Sequence, residues 1–209
     1  MSNASANNAS RATGDTARRF FVVQELLTSP ELAQFYTDVL LNSPTTITAV
    51  RERRGLSKST AYKYANKLAE LRIAEELDAY EDGSALWRAD AVSGVWSGEA
   101  TVEFGPVLIA VFGATTANDD LQLFVQRHGK AALAPAVMGT IEYLLGKTTR
   151  RGVAEELNVS AVEGIAVTQA IEGIVALVKD HDPTLDDISF EVPVHERALE
   201  QTPYQRADD

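Results

Sequence analysis

The sequence predicts a mainly α protein with a small β-hairpin near its middle. From Ala17 to Ile73, apolar side chains recur at helical spacing in runs separated by capping residues, a glycine or Ser-Pro. From Ala74 to Asp90 the period shortens to alternation around Asp82-Gly83, a strong turn signal between two strand-like runs. From Pro106 to Lys179 helical spacing returns.

A length of 209 residues suits one large or two small domains, and 45% hydrophobic composition is enough for a real core. Without cysteine there is no disulfide framework, thiolate nucleophile or cysteine-based zinc site. No apolar run approaches the roughly 20 residues that span a bilayer, and the N-terminus lacks the apolar core of a signal peptide, so a cytoplasmic protein is expected.

Residues 1–16 are rich in Ser, Asn, Ala and Thr and predict a disordered arm, because they offer little apolar surface to offset the entropy of ordering. Phe20, Phe21, Val23, Leu26 and Leu27 then predict a short helix ending near Thr28-Ser29. Ser29-Pro30-Glu31 starts a second one: a capping residue, proline at the first helical position and an acid in the first turn. It carries Leu32, Phe35, Tyr36, Val39 and Leu40 as a core stripe, and Ser43-Pro44 breaks it. Thr46–Arg54 reads as a shorter helix closed by Gly55, which suits the left-handed conformation of a helix C-terminus. Ser57 caps the next helix, in which Ala61, Tyr64, Ala65, Leu68 and Leu71 form an apolar stripe while Ser59, Tyr62, Lys63, Asn66 and Lys67 face away. This is a helix-turn-helix signature.

Charge singles out the same stretch. Thr46 to Arg72 holds seven bases (Arg51, Arg53, Arg54, Lys58, Lys63, Lys67, Arg72) and two acids, a net +5 inside a chain of net charge −11. A local basic patch on an acidic protein points to phosphate contact at one face. A solvated helix face that merely balances charge is the plainer alternative.

This order of elements resembles the winged helix-turn-helix DNA-binding domains of ArsR-, MarR- and TrmB-like regulators, over about residues 30–92. The resemblance implies a fold that is mainly α with a small β-wing, an N-terminal winged helix-turn-helix followed by a helical C-terminal domain. It also implies a sequence-specific duplex-DNA-binding transcriptional regulator, acting as a homodimer, with helix 57–72 in the major groove. Carried onto this chain, Lys58, Ser59, Tyr62 and Lys63 would enter the groove, Lys67 would face phosphate, and Ser57 and Thr60 would join the DNA-binding set. Arg51, Arg53 and Arg54 would lie beside the backbone. The family's wing tip is usually basic or polar, whereas Glu81-Asp82-Gly83-Ser84 is acidic, leaving Ser84 and Arg88 as the wing candidates. The alternative from another class is a winged-helix interaction module that binds an acidic protein partner. The acid surplus with only six lysines resembles the composition of proteins from salt-loving archaea.

Farther on, Val95–Phe104 alternates weakly, and Pro106–Phe112 reads as a buried helix. Asn118-Asp119-Asp120 caps another helix that ends near His128-Gly129. Lys130–Leu145 reads as a longer one, with Leu133, Val137 and Ile141 inward. Thr148–Leu157 and Ala161–Lys179 repeat a helix-turn-helix outline, but the longer helix has Glu163, Glu172 and no base before Lys179. It is therefore read as part of a dimerisation or effector region, with Arg150 and Arg151 as the only support for a second DNA site. The expected organisation is an arm (1–16), a DNA-binding domain (17–94), a helical domain (95–182) and a partly disordered extension (183–209) in which 188–192 adds a strand.

Little points to chemistry. Gly146-Lys147-Thr148-Thr149 matches the end of a phosphate-binding loop, but residue 141 is isoleucine where the motif needs glycine, and the stretch follows a helix. His128, His181 and His195 lack metal-site spacing. The chain is expected not to be an enzyme and to need no metal or cofactor. A small-molecule effector is left open.

Overall fold

The protein is described from a computed structural model, in which residues 18–97, 101–186 and 202–204 are described. The expected arm at 1–16 and strand at 188–192 lie outside these. The fold is mainly α with small antiparallel sheets. Helix α1 spans residues 18–26, α2 Pro30–Leu41, α3 Ile47–Arg54 and α4 Lys58–Glu70. Strands β1 (Thr45–Thr46), β2 (Ala74–Glu81) and β3 (Ser84–Ala89) form one sheet in the order β1-β3-β2, and β4 (Gly94–Ser97) pairs with β5 (Thr101–Phe104). Helices α5 (Pro106–Ala114), α6 (Asp119–His128), α7 (Leu133–Leu144), α8 (Arg150–Glu156) and α9 (Ala161–Val178) complete the described fold.

The helix boundaries follow from local hydrogen bonding. The Ser29, Thr46, Ser57, Asn118, Thr149 and Ser160 side chains each accept a backbone N–H from the first turn of α2, α3, α4, α6, α8 and α9 respectively, pairing a donor the helix itself cannot satisfy. Gly55 ends α3 at φ 61°, and its N–H donates to the Arg51 and Glu52 carbonyls. Asp82 and Gly83 have φ of 47° and 75°, the paired positive values of a two-residue type I′ turn, so β2 and β3 run antiparallel with Glu81 opposite Ser84 and Ala74 opposite Ala89. A register irregularity lies between Glu76 and Tyr80. Thr45 and Thr46 pair with Trp87 and Leu86, tying α3's entry to the sheet.

Helix α2 is the spine. It is buried almost all round, from Leu32 to Leu41, and packs on both α5 and the α3/α4 pair, as a helix without a polar face must. Its Tyr36 hydroxyl donates to the Asp90 carbonyl (2.9 Å) and accepts the Val92 N–H (3.0 Å), fixing the chain that leaves β3. Against α5 the approach is closer still. A Cβ at Gly113 would lie 2.6 Å from Tyr204 Oη and 2.7 Å from the Gln34 backbone nitrogen. Gly113→Ala is therefore expected to lower the thermal midpoint, by a destabilisation of about 1–3 kcal/mol, because α2 must move. An unchanged midpoint would show that the two helices have room to separate. Tyr204 itself is buried and donates to the Ala110 carbonyl at 2.7 Å.

The apolar core is continuous from Val22 to Tyr204 and includes residues of α2, α4, β3, α5, α6, α7 and α9. Phe20 and Phe21 stay exposed, and Val22, Val23 and Leu26 supply α1's inward face instead. One expectation needs correcting. The segment Ala161–His181 is long and apolar enough by composition to cross a bilayer. It is 56% buried and packs against α5, α6, α7 and α8. It also carries the buried Glu172, whose carboxylate takes two bonds of 2.8 Å from Arg150. A core helix accounts for its apolarity.

Candidate nucleic-acid interface

Helices α3 and α4 meet through the tight turn at Gly55-Leu56-Ser57, and α4 presents two faces. Ala61, Ala65 and Leu68 are fully buried, and Tyr64 packs on Phe35 with ring centroids 5.6 Å apart. Lys58, Ser59, Tyr62, Lys63 and Asn66 are exposed on the other side. The ring of Tyr62, 41% exposed, lies with Lys58 Nζ 6.0 Å from its centroid. Beside this face runs an open groove of about 770 Å³, whose lining includes Ser59, Lys63 and Asn66 of α4 with Glu25 and Thr28 of the α1 end.

The cations found in the sequence do not form one open cluster. Arg53 donates from Nε and Nη2 to Asp38 Oδ1 at 2.9 and 2.7 Å, and Arg54 Nη1 lies 3.8 Å from Asp38 Oδ2. The Asp38 side chain is only 1% exposed. Arg54 also donates to the Pro203 carbonyl, with its guanidinium 5.7 Å from the Tyr204 ring centroid. Placing Arg53 and Arg54 beside a DNA backbone is thus corrected: both are anchored to a buried carboxylate. Arg51 pairs with Glu52 (2.9 Å), Lys67 with Glu25 (3.5 Å) and Glu70 (3.8 Å), and Arg88 with Glu75 (2.6 Å). Arg51, Lys67 and Arg88 are therefore not free cations either. Their pairs are partly or well exposed, so water and salt screen them and they are readily exchanged. Ser57 and Thr60 are engaged with each other: the Thr60 N–H donates to Ser57 Oγ at 3.2 Å, and their hydroxyls lie 2.8 Å apart. Among the described residues, Lys58 and Lys63 are the two α4 cations with no ion pair.

Burial holds the Asp38 carboxyl above its ordinary range, against the opposing pull of the Arg53 hydrogen bond and of both guanidinium charges. Burial likewise raises the Tyr36 and Tyr204 phenols, so both remain neutral donors. The β2–β3 hairpin is strongly acidic, with Glu75, Glu76, Asp78, Glu81 and Asp82 all exposed against the single base Arg88. Ser84 is half-buried at the tip.

The second helix pair, α8 and α9, offers no comparable basic face. Of its two cation candidates, Arg151 is exposed, while Arg150 is held by Glu172, whose hydrogen bonds raise the guanidinium's proton affinity further, and stacks over Tyr143 at 5.2 Å. Gly146-Lys147-Thr148-Thr149 is the turn between α7 and α8, with Gly146 at φ 72° and Thr149 as the α8 cap. Among the described residues no group of three His, Asp or Glu side chains is arranged to hold a metal ion.

Three residues bear on this candidate face in ways the sequence pattern does not mark. Asn66 was seen as exposed but not as part of the site, although its position on the Lys63 side of α4 was the available signal. Glu25 and Asp38 had no signal, since each meets its base only through tertiary packing. A separate cavity of about 320 Å³ lies among α5, α7 and the 3-10 turn Pro183–Leu185, with Val107, Leu108, Val137, Met138, Ile141 and Leu185 on its walls. The buried Asp182 closes one side of it, accepting the Val107 N–H at 2.8 Å and so capping α5.

No curated protein and no solved structure matches the chain. A family of unknown function (DUF7437) matches residues 115–180, which run from just beyond α5 to the turn after α9 and leave out the α3/α4 pair and both hairpins.

Proposed function

We propose that this protein is a winged helix-turn-helix regulator that binds duplex DNA as a dimer, with α4 in the major groove. The single observation that carries the reading is the exposed face of α4. It opens after a tight turn, is rigidly backed by α2, and displays two unpaired lysines together with hydroxyl, phenol and amide groups. Lys58 and Lys63 supply phosphate or guanine contacts, Ser59 and Asn66 hydrogen-bond base edges, and Tyr62 offers its ring to a thymine methyl. Arg53 and Arg54 set the angle of α3 instead of touching DNA. Half-sites about one helical turn apart follow from a twofold dimer. The 320 Å³ cavity has the size and mostly apolar lining of a small-effector pocket.

Because few cations are free, affinity is expected to depend weakly on salt. Two phosphate contacts per protomer, from Lys58 and Lys63, give a log–log slope of roughly −2 per protomer, and the exposed Arg72 would bring it to roughly −3, whereas all seven bases would give roughly −6. Selecting bound fragments from genomic DNA and titrating the best one against salt tests both points. Absence of any enriched fragment would sink the reading.

The acidic hairpin favours a second reading, an interaction module whose α4 face meets an acidic protein. Five exposed carboxylates on the hairpin that follows α4 repel a continuous polyanion but not a partner with localised charge. Retention on duplex DNA at working salt separates the two.

A further inference from the structure

We infer that α6, flanked by the first turns of α9, is the surface through which two copies of this chain pair, with their α6 helices antiparallel about a twofold axis at Leu123. This deepens the proposed reading, on whose dimer it rests. Leu123 is 42% exposed and Val162 80% exposed, the highest value among the exposed large apolar side chains of the described residues. Both line one shallow groove of about 180 Å³ between α6 and α9, together with Asp120, Arg127, Glu163 and Ala166. A groove of that size accepts a single aliphatic side chain, and the surface carries such side chains beside it. The patch therefore offers both a knob and a hole.

Charge selects the occupant. Helix α6 has Asp119 and Asp120 in its first turn and Arg127 and His128 in its last. Asp120, Leu123 and Arg127 recur at helical spacing, so they form one exposed stripe with the acid and the base on opposite sides of the leucine. With a rise of about 1.5 Å per residue, Asp120 lies about 4.5 Å to one side of Leu123 and Arg127 about 6 Å to the other. Rotating a copy about Leu123 brings each Asp120 opposite the other copy's Arg127, within about 1.5 Å along the axis. A uniformly acidic or basic partner would match only half of this stripe, whereas a second copy matches all of it. Within one protomer, Glu163 lies 3.4 Å from Arg127 Nη1 and 3.1 Å from His128 Nε2, so it orients the basic end from the neighbouring helix; the Arg127 side chain is 53% exposed, and this solvent-screened pair is readily exchanged for Asp120 of a second copy.

The test is a charge swap read by light scattering of the full chain at low salt, without DNA. Wild type is expected to run at twice the chain mass. Asp120→Arg and Arg127→Asp are each expected to run as monomers, because each homodimer would place like charges opposite one another. An equimolar mixture of the two variants is expected to recover the dimer mass, and so is the double variant. Should Arg127→Asp lose its helical circular dichroism through the loss of the Glu163 pair, Leu123→Glu takes its place and must give a monomer. A monomeric wild type, a dimeric Asp120→Arg or Leu123→Glu variant, or a mixture that stays monomeric would overturn the assignment. The DNA reading is judged separately by mobility shift, so failure of this surface and failure of that reading are distinguishable.

Discussion

Replacing Asp38 with alanine is expected to destabilise the protein by about 3–5 kcal/mol, since it leaves the partly buried Arg53 and Arg54 without their shared counter-charge. For a chain of this size that corresponds to a fall of roughly 10 °C in the thermal midpoint. The cost comes from stranding cations, not from losing a strongly favourable bond. A triple replacement, Asp38→Leu with Arg53→Met and Arg54→Met, is therefore expected to recover much of the loss. Circular dichroism melts of the two variants check this. An Asp38→Ala protein that melts like wild type would mean that the two arginines relax into solvent, and they would then rejoin the list of candidate DNA contacts.

The same carboxyl sets a pH dependence. Burial raises its folded value above the ordinary one, so between those two values the unfolded chain is ionised while the folded chain still holds its proton. Stability linked to Asp38 is thus fully present below the ordinary aspartate range and is lost as pH rises through the interval up to the raised value. Asp38→Asn is expected to flatten that decline.

Lys63→Glu is expected to abolish duplex-DNA binding in a mobility-shift assay while leaving the helical circular dichroism and the melt unchanged. Lys63 is exposed on α4 with no ion pair among the described residues, so folding asks little of it. Reversal replaces one attraction to phosphate or guanine with a repulsion in each protomer. With few free cations per protomer, that loss is proportionally severe, well over tenfold if each contact contributes about 1–3 kcal/mol. Arg53→Gln should do the opposite, lowering the melt and sparing affinity at temperatures where the protein stays folded. Unchanged binding by the Lys63→Glu protein would remove α4 from the interface and favour the protein-partner reading.

Much of the fold was legible because its signals are local. Ser57 caps α4 through a bond to a residue three positions away, Gly55 ends α3 in its own left-handed conformation, and Asp82-Gly83 turns the hairpin within two residues. The inward stripe of α4 also followed from spacing alone. The destination of the charges was not legible in the same way. Helix α2 is buried nearly all round, so no periodic pattern marked Asp38 as the side that would face α3.

The sequence by itself therefore determined most of the helices, the ends that carry a cap or glycine, the β2–β3 hairpin and the concentration of bases between Arg51 and Arg72, because capping, turn chemistry and helical period act over a few residues. Only the tertiary structure decided which of those bases face solvent. Packing α3 on α2 turned Arg53 and Arg54 toward the one buried carboxylate within reach, and α4 kept Lys58 and Lys63 free because its opposite side was already committed to the core.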